Sequence, residues 1–272
     1  MNSGGEAITE HRVTLNDIEV HYTRTGDGPP VVLIHGLAQD GRSWSSVQQG
    51  LSTVSTYAYD LRGHGRTTLG DPKGTPEQLR DDLVAFLENV TGPAVCVGFS
   101  LGGTVVLSAA ATRPDLVRKA VVMGTSSVVG RAAAAFYAKR IELFRGTDKE
   151  AQAAALREDT AAALHNPDVD VDEVTRSRIE AVGEGGGYIN ASTAMASLVD
   201  KPLTPELAAI TSQTPVTVIG ADHDTFCPRK AAGIILGAIE HAEYREVAEA
   251  GHLMLVDQPD RTVDVLRQCV EK

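Results

Sequence analysis

Short apolar segments alternate with helical segments along most of this chain of 272 residues. Continuous apolar runs of about five residues are typical of strands covered on both faces, as in a parallel sheet. The predicted strands are residues 31–34, 56–59, 94–97, 120–123, 216–219 and 244–247, and the predicted helices are residues 43–51, 75–89, 101–112, 228–239 and 259–269. Such alternation predicts an open α/β sheet with right-handed crossovers.

Two other segments complete the predicted organisation. Residues 12–15 and 18–22 alternate in polarity around Asn16 and Asp17, which predicts a β-hairpin. Between Met123 and Thr214 the strand–helix alternation stops, and the sequence is rich in alanine. We interpret this stretch as a helical insertion and not as a linker. The predicted division is therefore 1–125 for the first part of an α/β core, 126–201 for the insertion, and 202–272 for the second part of the core.

The composition excludes several classes of partner. Lys and Arg number 25 against 36 Asp and Glu, a net charge of −11, so the chain lacks the basic surface that nucleic acids require. Its apolar runs are far shorter than the roughly 20 residues of a membrane helix, and no signal peptide is visible at the N-terminus. Three widely spaced cysteines form no metal-binding pattern. We expect a cytoplasmic protein without membrane partner, metal or cofactor.

A Gly-x-Ser-x-Gly pattern supplies the candidate nucleophile. Ser100 lies between Gly98 and Gly102, directly after one predicted strand and directly before a predicted helix. That context is typical of a sharp strand-to-helix turn that exposes the serine hydroxyl, and small flanking residues let the neighbouring backbone pass. The helix N-terminus adds a positive dipole where negative charge would develop. A serine that merely caps the helix is the structural alternative.

A serine hydroxyl needs a base, and the base needs a carboxylate that orients it. His252 follows the last predicted strand, where open α/β sheets place their ligands. The loop after strand 216–219 offers Asp222 and Asp224; we favour Asp224 as the acid, and Asp222 can instead brace the loop. The resulting order along the chain is serine, aspartate, histidine.

Backbone amides are the candidate oxyanion donors. The amide of Leu101 follows the nucleophile, and the amide of Leu37 lies in the loop after the first parallel strand. We interpret His35 as a residue that shapes this loop. The charged, glycine-broken segment 60–66 can bind an anion, but a hydrogen-bonded turn that braces the sheet is the favoured interpretation.

Taken in order, these motifs resemble those of the α/β-hydrolase fold superfamily: His35-Gly36, residues 60–65, residues 98–103, the Asp224 loop that ends at Pro228, and Gly251-His252. The resemblance spans nearly the whole chain. It implies an eight-stranded, mostly parallel sheet with helices on both faces, an antiparallel strand from the hairpin, and a helical cap formed by the insertion. It also implies Ser100 as nucleophile, His252 as base and Asp224 as acid, with Leu37 and Leu101 as oxyanion donors.

The chain departs from the common pattern in one respect. The acid loop is one residue longer than usual, which leaves Asp222 as an alternative acid. An acid after strand 120–123 is not expected, since residues 124–127 contain no carboxylate. The serine nucleophile distinguishes the chain from haloalkane dehalogenases and epoxide hydrolases, which use aspartate.

The favoured function is a serine hydrolase that cleaves a carboxylic ester or lactone. The same three residues could instead support C–C bond hydrolysis, perhydrolysis or a lyase reaction, and a non-catalytic binding protein is the alternative from another class. An uncharged, apolar substrate is expected between sheet and insertion. The predicted apolar lining residues are Trp44, Phe99, Phe136, Tyr137, Met195, Phe226, Leu253 and Met254.

Overall fold

The computed structural model describes residues 7–271, in which eight strands form one sheet. The strand order is β1-β2-β4-β3-β5-β6-β7-β8. β2 is antiparallel to both of its neighbours, and the remaining pairs are parallel. The strands are β1 (Thr9–Leu15), β2 (Ile18–Thr25), β3 (Pro30–Ile34), β4 (Ser55–Tyr59), β5 (Ala94–Phe99), β6 (Val117–Met123), β7 (Val216–Ala221) and β8 (Glu243–Val247). The predicted mostly parallel, eight-stranded α/β sheet is confirmed.

Helices cover both faces of the sheet, because the buried strands present alternate side chains to each face. The helices are α1 (Ser45–Gly50), α2 (Pro76–Phe86), α3 (Leu101–Thr112), α4 (Arg131–Arg145), α5 (Lys149–Ala163), α6 (Val171–Val182), α7 (Gly186–Ser197), α8 (Arg229–Ala238), α9 (Met254–Asp257) and α10 (Pro259–Val270). Val32 and Ile34 contribute to the core beneath α2, α3 and α8, whereas Val31 and Leu33 contribute to the core beneath α1 and α10.

The predicted start of α2 shows why local sequence was informative. The Thr75 hydroxyl accepts a hydrogen bond from the Gln78 amide at 3.2 Å, and Pro76 is the first helical residue. This arrangement satisfies one N–H group that lacks a partner within the helix. Proline has no N–H group, so it leaves no unpaired donor at the first helical position.

The strand at the far edge of the sheet corrects one expectation. β8 forms where it was predicted, but of its residues only Val247 is fully buried. β8 pairs with β7 alone, and its charged residues Glu243, Arg245 and Glu246 are typical of a strand at an open edge. The expectation of a strand covered on both faces is therefore wrong here.

Helices α4–α7 lie between β6 and β7, where the sequence predicted a helical insertion. α4 packs on α7, and α5 packs on α6. Their shared core contains Phe144, Leu156, Val182 and Tyr188, and it also includes Ala38 from the loop after β3. The insertion is thus packed against the loop that carries the candidate oxyanion donor. Its limits at residues 126 and 201 stay a prediction.

The charged segment after β4 forms hydrogen bonds within itself and with neighbouring elements. The Asp60 carboxylate accepts hydrogen bonds from the Gly41 amide at 2.7 Å and the Arg66 amide at 2.9 Å. The buried Arg62 guanidinium donates two bonds to Asp82, both 2.8 Å. These contacts use the charged groups to brace the fold, as the favoured interpretation of this segment expected.

Two glycines allow α3 to cross the end of the sheet. A Cβ atom on Gly102 would lie 2.2 Å from the Ile34 carbonyl oxygen, and one on Gly98 would lie 2.3 Å from the Gly102 carbonyl oxygen. Both obstacles are backbone atoms, which cannot rotate away as a side chain can. The turn that carries Ser100 therefore requires glycine at both flanking positions.

We expect Gly102→Ala to lower the free energy of unfolding by at least about 2 kcal/mol, because α3 must move away from β3. Gly233→Ala is the matched control at an exposed position of α8, where a Cβ would meet only the end of the Arg229 side chain at 4.0 Å. Alanine there should raise stability by about 0.5–1 kcal/mol. Urea denaturation measures both, and a fully stable Gly102→Ala protein would contradict the packing described.

Candidate active site

Ser100 occupies the turn between β5 and α3, with φ 51° and ψ −117°. A positive φ is unfavourable for a residue that has a Cβ, so the surroundings must hold it. The Ser100 amide donates to the Met123 carbonyl at 2.8 Å, and the Ser100 carbonyl accepts from the Gly103 amide at 2.9 Å and the Thr125 hydroxyl at 2.7 Å. These bonds fix the backbone on both sides of the serine hydroxyl.

The structure brings Ser100, His252 and Asp224 together. His252 Nε2 lies 3.1 Å from Ser100 Oγ, and His252 Nδ1 lies 2.9 Å from Asp224 Oδ2. Since an ionised carboxylate only accepts hydrogen bonds, His252 Nδ1–H donates to it and Nε2 is left to accept from the serine hydroxyl. The imidazole is therefore positioned to remove the serine proton.

The second oxygen of Asp224 is also bonded. Oδ1 accepts hydrogen bonds from the amides of Phe226 at 2.9 Å and Cys227 at 2.8 Å. Burial opposes the ionisation of Asp224, but the His252 imidazole and these two amides outweigh it, so the pKa of this carboxyl lies below its ordinary value. The carboxylate is thus charged and fixed in orientation beside the imidazole.

Asp222 has a different position. Its carboxylate accepts hydrogen bonds from the amides of Glu249 at 3.0 Å and Ala250 at 3.1 Å. It therefore braces the loop that carries His252 and does not contact the imidazole. The extra residue in the acid loop leaves Asp224, and not Asp222, against the base.

The two candidate oxyanion amides are available as donors. Leu101 is the first residue of α3, and Leu37 lies in the loop after β3. In residues 7–271, neither amide has a hydrogen-bond acceptor. Leu37 also borders the cavity that contains Ser100. Two unengaged amides beside the serine can stabilise a developing oxyanion.

His35 holds the loop that carries Leu37. Its Nδ1–H donates to the Gly36 carbonyl at 2.8 Å, and its Nε2 accepts from the Leu61 amide at 2.8 Å. Burial lowers the pKa of His35, which keeps the imidazole neutral and able to both donate and accept. The side chain joins the loop after β3 to the braced segment after β4.

A cavity of about 350 Å³ lies over the serine and the histidine. That volume suits a small organic molecule. Two of the predicted apolar lining residues, Phe136 and Tyr137, come from α4. Five of the predicted residues line the cavity in all: Phe99, Phe136, Tyr137, Phe226 and Leu253. Phe226 is 41% exposed, so the cavity has an apolar residue where it meets solvent.

Three predicted lining residues do not border this cavity. Trp44 and Met254 are fully buried in the core between the sheet, α1 and α10, and Met195 is buried in the core on the opposite face. Large apolar side chains are equally suited to a core and to a cavity wall. Hydrophobicity therefore identified them as buried without showing which interior space they occupy.

Other residues in the wall of the cavity were not predicted. Thr225 and Cys227 adjoin Asp224, and this proximity could have identified them. The others come from the insertion helices, where no sequence motif indicates which side faces the serine: Ala132, Ala133, Asp159, Ala163, Arg178 and Tyr188.

Metal-binding clusters and membrane-spanning helices are both absent from the described part of the chain. Among residues 7–271, no group of three or more His, Cys, Asp or Glu side chains could hold a metal ion. In the same range, no helix combines the length and apolar character needed to cross a bilayer.

Comparison with known proteins places the chain in a family. Residues 29–259 match the family described as alpha/beta hydrolase fold. A pyrrolizixenacetamide deacetylase from Xenorhabdus hominickii is 28% identical over 94% of this chain and 96% of its own, and an esterase from Mycobacterium tuberculosis is 26% identical over 89% and 83%. The crystal structure of an enol-lactonase from Burkholderia xenovorans superposes with a TM-score of 0.81 at 22% identity, covering 96% of this chain and 100% of that chain. The chain belongs to the α/β-hydrolase fold family of enzymes.

Proposed function

We propose that the protein is a serine hydrolase that cleaves a carboxylic ester or lactone through an acyl-enzyme. The observation that carries the proposal is the continuous hydrogen-bonded chain from Ser100 through His252 to Asp224, at a cavity large enough for a small substrate. Similar proteins support hydrolysis of an acyl bond, since the relatives in sequence include an esterase and a deacetylase and the structural neighbour is an enol-lactonase.

In the first half-reaction, Ser100 Oγ attacks the substrate carbonyl carbon while His252 Nε2 accepts the hydroxyl proton. The carbonyl π electrons move to oxygen, and the amides of Leu37 and Leu101 donate hydrogen bonds to the resulting oxyanion. Asp224 stabilises the imidazolium. Collapse of the intermediate breaks the carbon–oxygen bond, and His252 gives its proton to the departing alkoxide.

In the second half-reaction, water replaces the alcohol. His252 accepts a proton from water, the hydroxide attacks the acyl carbon, and the same two amides hold the oxyanion again. Collapse breaks the bond to Ser100 Oγ, which regains the proton from His252. A lactone follows the same steps, except that its alcohol stays attached to the acyl group and the product is one hydroxy acid.

We also propose that the insertion acts as a cap over the serine. Phe136 and Tyr137 from α4 and Tyr188 from α7 line the cavity together with Phe99 and Leu253 from the core. These walls support the expectation of a largely apolar substrate, because an apolar molecule would bury its surface against them on binding.

Ser100→Ala should lower kcat for a 4-nitrophenyl ester by about 10⁴-fold or more, because no other group supplies the nucleophile. Ser45→Ala, at an exposed position at the start of α1, is the matched control and should leave kcat within about twofold of wild type. Nitrophenolate release at 400 nm measures both. Full activity of Ser100→Ala would exclude the mechanism.

Replacement of each candidate acid distinguishes their roles. Asp224→Asn should lower kcat by about 10³- to 10⁴-fold, because an amide does not stabilise the imidazolium or fix its tautomer. Asp222→Asn keeps an acceptor for only one of the amides of Glu249 and Ala250, but Asp222 does not touch the imidazole, so the loss of kcat should stay below about tenfold. The same ester assay applies, and a larger loss in Asp222→Asn would reverse the assignment.

A further inference from the structure

The cavity contains one cationic side chain that has no anionic partner. Arg178 of α6 lines it, and its Nη1 donates only to the Thr160 hydroxyl, at 2.8 Å. Its Nε is buried and has no hydrogen-bond partner within residues 7–271. The residue as a whole is partly buried, and a guanidinium that loses water without gaining a carboxylate is costly, so this side chain has an unsatisfied binding capacity.

The nearby carboxylates are engaged elsewhere. Asp159 also borders the cavity, but its two oxygens accept from Arg140 at 2.9 and 2.6 Å. On its other side, Arg178 borders a shallower groove in which Asp40 is bonded to Arg42 and Asp170 accepts amides at the start of α6. The groove's third carboxylate, Glu173, forms no ion pair with Arg178 among the described residues.

One position of α6 runs against its hydrophobic pattern. Ile179 is 38% exposed, whereas the adjacent Arg178 lies against the cavity and the helix buries Ala181 and Val182. A partly buried charge beside an exposed isoleucine is an exception to the usual arrangement, and such exceptions are expected at functional sites. The other deeply placed arginines follow the usual rule, since Arg62 pairs with Asp82 and Arg140 pairs with Asp159.

Electrostatics of the site favour an anion at this point. Burial lowers the pKa of Arg178, and the neighbouring Tyr188 and Asp159 only partly offset this. The guanidinium nevertheless stays charged at neutral pH. Burial raises the pKa of Tyr188 to about 12, so its phenol stays protonated and can donate a hydrogen bond. Among the described residues, the cavity therefore offers one guanidinium that is not directly paired with a carboxylate, within otherwise mostly apolar walls.

We propose that Arg178 binds a carboxylate of the substrate, so that the esters or lactones cleaved at Ser100 carry a free acid group on an otherwise apolar skeleton. A single planar guanidinium matches a single planar carboxylate through two parallel hydrogen bonds. This inference rests on the proposed hydrolase function, and it replaces the expectation of an uncharged substrate, which the apolar lining residues and the net charge of −11 suggested.

Two pairs of substrates test the proposed carboxylate site, and within each pair the free acid is compared with its methyl ester. Mono-4-nitrophenyl adipate is compared with its methyl ester, which places the acid on the acyl side. 4-(Butanoyloxy)benzoate is compared with its methyl ester, which places the acid on the leaving group. In at least one pair the wild-type kcat/KM should favour the acid by about tenfold or more, as expected for a charge-assisted hydrogen bond.

Arg178→Met should lower kcat/KM for the preferred acid by about 10- to 100-fold, mainly through KM, and change its methyl ester by less than about threefold. Arg178→Lys should retain part of the preference. Arg176→Met, at an exposed position two residues earlier in α6, is the matched control and should behave as wild type. An equal loss on acid and ester would assign Arg178 a structural role and overturn the proposal, as would the absence of preference in both pairs.

Binding separates this proposal from the hydrolase assignment. Calorimetric titration of adipate into the Ser100→Ala protein requires no turnover. Adipate should bind, with affinity at least about tenfold weaker when Arg178→Met is added, and dimethyl adipate should not distinguish the two proteins. Hydrolysis that persists in Ser100→Ala would reject the hydrolase mechanism alone. Adipate binding that is independent of Arg178, or inorganic phosphate binding more tightly than adipate, would reject the carboxylate site.

Discussion

The backbone of Ser100 is held in a conformation that a serine does not adopt freely. Its positive φ exists because a buried strand must pass within one residue into a helix that crosses the adjoining strand. Gly98 and Gly102 make room for this crossing, and hydrogen bonds from Gly103 and Thr125 hold the Ser100 carbonyl. Every other part of the candidate site is arranged around the hydroxyl that this turn exposes.

The rest of the site reaches that hydroxyl through braced loops. Asp222 ties the loop of His252 to the loop of Asp224, and His35 ties the loop of Leu37 to the segment after β4. Each brace pairs a polar side chain with backbone groups of a neighbouring loop, which fixes that loop. The positions of the base, the acid and the oxyanion amides thus depend on residues that do not touch the serine.

Local sequence signals indicated where the strands and helices lie and which loops carry Ser100, His252 and Asp224, and the family resemblance added the eight-stranded sheet. Glycine spacing, apolar runs and helix caps are set by neighbouring residues, so they can be read without knowledge of the fold. Residues that line the cavity were harder to predict, because Trp44 and Phe99 are both large and apolar, yet only Phe99 borders the cavity. Arg176 and Arg178 look alike in sequence, and only tertiary packing turns Arg178 inward.

The chemistry proposed for the cavity depends on its apolar walls, on a guanidinium without a direct carboxylate partner, and on the serine–histidine–aspartate chain. The claim that Ser100 is the nucleophile is tested by reaction of the wild-type protein with a fluorophosphonate, followed by intact-mass and peptide mass spectrometry. We expect one covalent adduct, located on Ser100. A folded protein that gains no adduct, or one modified at a different residue, would contradict it.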